Sequence, residues 1–129
     1  EIVTPHGSVF SGEVDEITAP GSEGEFGVLP GHAPYITTLR SGLLTCKSGG
    51  ETIYFFVSWG YAEVGPEKVS VLADSAERAE DIDIERALEA KRRAEERMKM
   101  EEAVDFARAE SSLERAISRI HIHETIVRK

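Results

Sequence analysis

The stretch Ile82-Asp83-Ile84-Glu85-Arg86-Ala87 divides this chain into two kinds of sequence. Ahead of it, Gly or Pro recurs roughly every 8–12 residues with short β-rich runs between, the pattern of an all-β sandwich or barrel. The last of these breakers is Pro66; Ala, Glu, Arg and Lys then dominate, and good helix formers are dense over residues 85–100. Asp83 is a natural N-cap for that run, with Arg86 at the third helical position, where a capping box carries Glu. The reading is a β half over residues 1–82 and a helical half over residues 83–129.

In the β half, strands are expected over residues 9–14, 16–19, 35–39, 43–47, 52–58, 61–64 and 68–73, with Glu1-Ile2-Val3-Thr4 strand-like as well. Alternation in the run from Lys68 puts Val69, Val71 and Ala73 on one face, as in a half-buried strand. Ile53-Tyr54-Phe55-Phe56-Val57 is apolar on both faces, so it is either central in a sandwich or covered on its outer face by a partner. The glycine-rich segment Gly21-Ser22-Glu23-Gly24-Glu25-Phe26-Gly27 is not a phosphate loop. Its spacing is wrong, no Lys-Ser/Thr follows, and Glu23 and Glu25 repel a phosphate. It is expected to be a turn-rich connection, with a second tight turn at Gly31-His32-Ala33-Pro34.

In the helical half, Ile84, Ala87, Leu88, Lys91, Ala94 and Met98 form one mostly apolar stripe. A turn is expected at residues 101–104, and Asp105 caps a second helix carrying Phe106, Ala109, Leu113, Ala116, Ile117 and Ile120. A short connection and facing stripes make an antiparallel helical hairpin. Units below about 40 residues rarely hold a core of their own, so the hairpin is expected to dock on the sandwich or on another protein. Its thin seam of Ala87, Ala90 and Ala94 predicts docking weak enough to reverse.

At 129 residues, with 40% hydrophobic and 30% charged residues, the composition is that of one soluble globular domain or one small domain with an appendage. No apolar run approaches the roughly 18 residues of a membrane span, so membrane association is expected only through a partner. The chain begins at Glu1 without a methionine, and a few preceding residues are expected. Cys46 is the one cysteine, in keeping with a reducing compartment. Net charge is −9, and residues 1–83 hold 14 acids against four bases while residues 84–129 hold ten against 11. An acidic β half excludes general nucleic-acid binding there.

No catalytic constellation is present: there is no GxSxG or HExxH, and His121 and His123 are two apart on a helix and point to different sides. No metal site is expected, since Cys46 lies far from both. The arginines are the better lead. Arg86 and Arg93 lie two helical turns apart on one face, and Arg115 and Arg119 share a face of the second helix. Opposed in a hairpin, the two pairs make a fork of guanidinium groups suited to a polyphosphate. The ordinary reading is a solvated face laced to Glu89 and Glu114.

Three runs carry a family resemblance: the eleven residues Gly24-Glu25-Phe26-Gly27-Val28-Leu29-Pro30-Gly31-His32-Ala33-Pro34, then Trp59-Gly60-Tyr61-Ala62-Glu63-Val64, then Ala90-Lys91-Arg92-Arg93-Ala94-Glu95-Glu96. Through them the chain resembles, almost end to end, the epsilon subunits of bacterial rotary, proton-translocating F-type ATP synthases. The resemblance implies a flattened N-terminal β-sandwich of about ten strands and a C-terminal antiparallel α-helical hairpin. It also implies a non-catalytic subunit of the central stalk, gripping the gamma subunit and seated on the c-ring, with Glu25 and His32 in the loop that meets the ring. Such a subunit is peripheral, on the cytoplasmic face of the bacterial inner membrane, and serves ATP synthesis and hydrogen ion transport without touching the bilayer.

In that family the hairpin either folds on the sandwich or extends along gamma into the alpha and beta subunits, where it opposes ATP hydrolysis. Arg108, Arg115 and Arg119 would then meet acidic segments of beta. Some members bind ATP on the folded hairpin through a motif I/L-D-x-x-R-A, which here is Ile82, Asp83, Arg86 and Ala87, with Arg93, Arg115 and Arg119 at the associated basic positions. ATP in this reading is a regulatory ligand that stabilises the folded form by mass action, and no cofactor is required. The alternative is a free-standing nucleotide-sensing module.

Overall fold

The computed structural model describes residues 1–29, 31, 34–99 and 103–127. Among these, eight strands come first: β1 (Ile2–Thr4), β2 (Gly7–Phe10), β3 (Glu16–Gly21), β4 (Gly24–Val28), β5 (Tyr35–Leu39), β6 (Gly42–Ser48), β7 (Glu51–Val64) and β8 (Val69–Arg78). A 3-10 turn (Ala79–Asp81) leads to α1 (Ile84–Met98), α2 (Ala103–Ile122) and a closing π turn (His123–Val127). The chain divides into two compact units, Glu1–Arg78 and Ala79–Lys129.

The first unit is a sandwich built on two long strands that serve both of its layers. β7 pairs with β6 through residues 51–57 and with β5 through residues 60–64, while β8 lies antiparallel along its other edge. The change of partner falls at Trp59-Gly60, where φ is 49° and 140°. Two successive residues with positive φ turn the strand over, with no shift of register against β8, and so reverse which face a side chain takes. Ahead of it Phe55 and Val57 enter the core, and after it Ala62 and Val64 do. In β8 the inward set likewise changes from Val71 and Ala73 to Ala76. The two separate strands expected over residues 52–58 and 61–64 are therefore one, and eight strands do the work for which about ten were expected.

β1, β3, β4, β5 and β6 supply the rest of the core through Ile2, Ile17, Ala19, Val28, Leu39, Leu44 and Cys46. β7 is hydrogen-bonded on both edges, with the Phe55 ring in the sandwich core and the Phe56 ring fully buried on the strand's other face. Facing away from Phe55, Ser58 is equally buried, and its hydroxyl hydrogen-bonds that of Ser41 at 2.9 Å. At the end of β8 the Arg78 guanidinium lies 5.9 Å from the centre of the Phe55 ring and 6.0 Å from that of Phe10.

The glycine-rich segment holds more order than expected. Gly21 closes β3, Ser22 and Glu23 make a two-residue turn, and Gly24–Val28 is strand β4, paired back on β3. Two other boundaries differ. β2 stops at Phe10 instead of running to residue 14, and β8 continues five residues past Ala73 because its last residues pair with the first half of β7.

Burial pushes the Cys46 thiol up, to about 11 from its usual 9.0. A thiol with a raised folded value stabilises the fold below its unfolded value and loses that contribution as pH rises through the folded one. Stability should therefore fall between pH 9.0 and about 11. Iodoacetamide at pH 8.5 should label native Cys46 at least about tenfold more slowly than the urea-unfolded chain, read by mass spectrometry.

In the second unit, Asp83 adopts extended N-cap geometry and its carboxylate accepts the Arg86 N–H, as expected. α2 is already helical at Ala103, so Asp105 falls inside the helix and does not cap it; residues 101 and 102 of the expected turn lie outside the described residues. The apolar stripes are displaced from their expected centres. Ala87 and Ala94 on α1 and Ala109 and Ala116 on α2 are buried, whereas Leu88, Phe106 and Ile117 are 50%, 40% and 47% exposed. Small side chains let two helix backbones approach closely, and the bulkier apolar groups beside them are then left at the edges of the contact.

Candidate functional site

Each half of the hairpin contributes basic side chains, and helix geometry decides where they stand. α1 and α2 pack along one another, and the turn at Ala79–Asp81 lies against that at His123–Val127, so the start of α1 adjoins the end of α2. Buried alanines seven residues apart on both helices put Ala87 level with Ala116 and Ala94 level with Ala109. Arg86 is thereby level with Arg115 and Arg119, in the last turns of α2. Arg93 is two turns away, toward the loop. By position along the hairpin, Arg86 is the α1 member of the sequence-based fork that stands beside the last turns of α2, and Arg93 stands farther toward the loop.

Their partners differ too. The Arg86 side chain is exposed. Arg93 is tied to Glu89 at 3.5 Å, and Arg115 donates to the Ser112 hydroxyl at 3.2 Å. Arg119 and Glu114 are each engaged in interactions of their own. Arg115 and Arg119 are half-buried, whereas Arg86 and Arg93 are exposed.

The strongest ion pair on α1 was not singled out by the sequence reading. Arg92 donates both to Glu89 and, at 2.7 Å, to Glu96. Its hydrogen bond to Glu89 raises the Arg92 pKa, and the same bond is the main cause that holds Glu89 below the usual carboxylate range. The signal was there in the spacing, since Glu89-Arg92-Glu96 steps by three and four. The pair is solvent-exposed, so it organises the α1 surface more than it stabilises it.

Of the other named residues, Ile82 and Ala87 are buried and Asp83 is engaged by the backbone. Glu25 is exposed on β4, paired in register with Pro20, and His32 lies outside the described residues. A cleft of about 540 Å³ opens in the sandwich, with Ile2, Val28, Leu44 and Val71 among its apolar walls and Glu13, Asp15, Glu16 and Glu67 at its acidic ones. Those carboxylates make it unfit for a polyphosphate, and the hairpin arginines take no part in it. No described helix is long and apolar enough to cross a membrane.

Comparison with known proteins matches residues 1–79 to the ATP synthase, Delta/Epsilon chain, beta-sandwich domain, and residues 80–124 to the ATP synthase, Delta/Epsilon chain, long alpha-helix domain. The ATP synthase epsilon chain of Nitratidesulfovibrio vulgaris strain DP4 is 55% identical over 123 residues, covering 95% of this chain and 92% of the relative. That of Geobacter metallireducens is 48% identical over 131 residues, covering 100% and 95%. Among solved structures, a chain of the Euglena gracilis mitochondrial ATP synthase (OSCP/F1/c-ring, rotational state 1) superposes with a TM-score of 0.79 at 26% identity, covering 90% of this chain and 74% of that one. A chain of the Tetrahymena thermophila mitochondrial ATP synthase central stalk and c-ring shares the fold, with a TM-score of 0.52 at 16% identity over 62% of this chain and 65% of that one.

Proposed function

Because this chain belongs to the delta/epsilon chain family of ATP synthases, as an epsilon-type, non-catalytic component of the central stalk, we propose that it couples rotation of that stalk to catalysis elsewhere in the complex and restrains ATP hydrolysis through its helical hairpin. The observation that carries this reading is that both structural units match, one after the other, the two domains of one family across residues 1–124.

In this reading the sandwich grips a gamma subunit and meets the c-ring through the loop containing Glu25 and His32, at the cytoplasmic face of the bacterial inner membrane. The F1 and c-ring named for the Euglena gracilis structure are in keeping with that placement. The alpha and beta subunits are the partners of the extended hairpin, which thereby bears on hydrogen ion transport. Folded and extended forms compete, so a few kcal/mol of differential binding decides between them.

ATP is the regulatory ligand of the folded hairpin, held by Arg86, Arg115 and Arg119 near the start of α1, with Ile82, Asp83 and Ala87 forming the helix start beneath it and Arg93 reaching in when it leaves Glu89. What supports this is the level placement of the first three arginines and the two half-buried ones among them. The function is tested by co-expression with a gamma-like subunit. Co-purification in equal amounts is expected, and a stable monomer that never associates with gamma sinks the coupling role.

A further inference from the structure

We propose that Asp83 is a positioning residue, which fixes Arg86 by capping α1 and makes no contact with the nucleotide itself; this rests on the nucleotide reading above. The carboxylate is already engaged: Asp83 Oδ1 accepts the Arg86 N–H at 3.1 Å, with φ −84° and ψ 97°. Ile82 and Ala87 flank the cap one residue before it and four after it, the positions joined by a hydrophobic staple, and they are 7% and 3% exposed. Ile, Asp and Ala of the hexapeptide are therefore all accounted for by the start of a helix. Of its two exposed specified residues, Asp83 and Arg86, Asp83 is engaged in the cap, and Arg86 turns its side chain to solvent with no partner for it among the described residues.

The geometry links the cap to the ligand through one atom. The N–H gripped by Asp83 is Arg86's own, so losing the cap frees the residue that carries the guanidinium. The same carboxylate disfavours a phosphate at this helix end, where free N–H groups would otherwise attract one. The triphosphate charge is left to the arginines.

The test compares wild-type full-length chain with Asp83→Ser, which retains a capping oxygen but no charge, and Asp83→Ala, which has neither. Without ATP, amide hydrogen exchange of Arg86, Ala87 and Leu88 is expected to speed up about fivefold in D83A and to stay within about twofold of wild type in D83S. Titrated with ATP, D83S is expected to keep its apparent affinity within about twofold, and D83A to weaken about fivefold, in step with its exchange. Normal exchange in D83S together with a lost ATP response makes Asp83 a direct contact and overturns the proposal. Wild-type exchange in D83A overturns the cap. A wild-type chain that ignores ATP removes the nucleotide reading and the positioning role with it, while the exchange comparison still decides the cap.

Discussion

Gly60→Ala is expected to unfold the sandwich or leave it barely folded. A Cβ built on Gly60 falls 1.9 Å from the Leu72 carbonyl oxygen and 2.8 Å from the Ala73 Cα. Both are backbone atoms of the neighbouring strand β8, so no side-chain rotation relieves the overlap. The φ of 140° adds strain for any residue with a Cβ. Relief means parting β7 from β8 where both strands pass between layers, and with it the burial of Phe55, Val57, Ala62 and Val71. A loss of about 4 kcal/mol or more follows, against the 5–15 kcal/mol that folded domains possess. Gly27→Ala is the control: its Cβ would sit 3.8 Å from the nearest atom, the Ile17 carbonyl oxygen, and should change stability by less than about 1 kcal/mol. Circular-dichroism melts of both variants check this, and a G60A melt within a few degrees of wild type would refute the steric account.

Arg115→Ala should abolish most of the thermal stabilisation that ATP confers on the isolated chain. A ligand that binds only the folded hairpin stabilises it by mass action, by about 2.7 kcal/mol at a hundred times its dissociation constant. Removing one charge-assisted hydrogen bond to phosphate costs about 1.5–3 kcal/mol, which is roughly a tenfold to hundredfold loss of affinity. Arg115 is the residue to remove because it is half-buried, level with Arg86 and Arg119, and donates to the neutral Ser112 hydroxyl, with no carboxylate paired to it among the described residues. Arg92→Ala is the matched control. It deletes an equal charge that two glutamates already neutralise, and the ATP-dependent rise should persist. Differential scanning fluorimetry with and without millimolar ATP makes the comparison, and the nucleotide reading falls if wild type shows no rise.

The site was legible in proportion to how local its determinants are. Asp83 as N-cap follows from residues three apart in sequence, and the structure has it donated to by Arg86. Arg86, Arg115 and Arg119 share a level because an antiparallel hairpin reads almost as a local fold. Arg93 was grouped with them by face alone; its tie to Glu89 is a local i,i+4 pair, and only its height relative to the arginines of α2 depends on how the two helices pack. Leu88, Phe106 and Ile117 failed as core positions for a related reason: periodicity finds an apolar face, while the choice between its bulky and small members rests with the opposing helix.

Sequence by itself determined the two-part architecture, the start of α1 and the family, because breaker spacing, helix propensity and the runs around Gly24 and Trp59 are all contained in contiguous residues. Tertiary structure alone decided that β7 and β8 each serve both layers. The turnover at Trp59-Gly60 reverses the inward face of β7, and its necessity arises from the Leu72 carbonyl, twelve residues farther along the chain. A period-two pattern read along one strand carries no record of what the next strand brings against it.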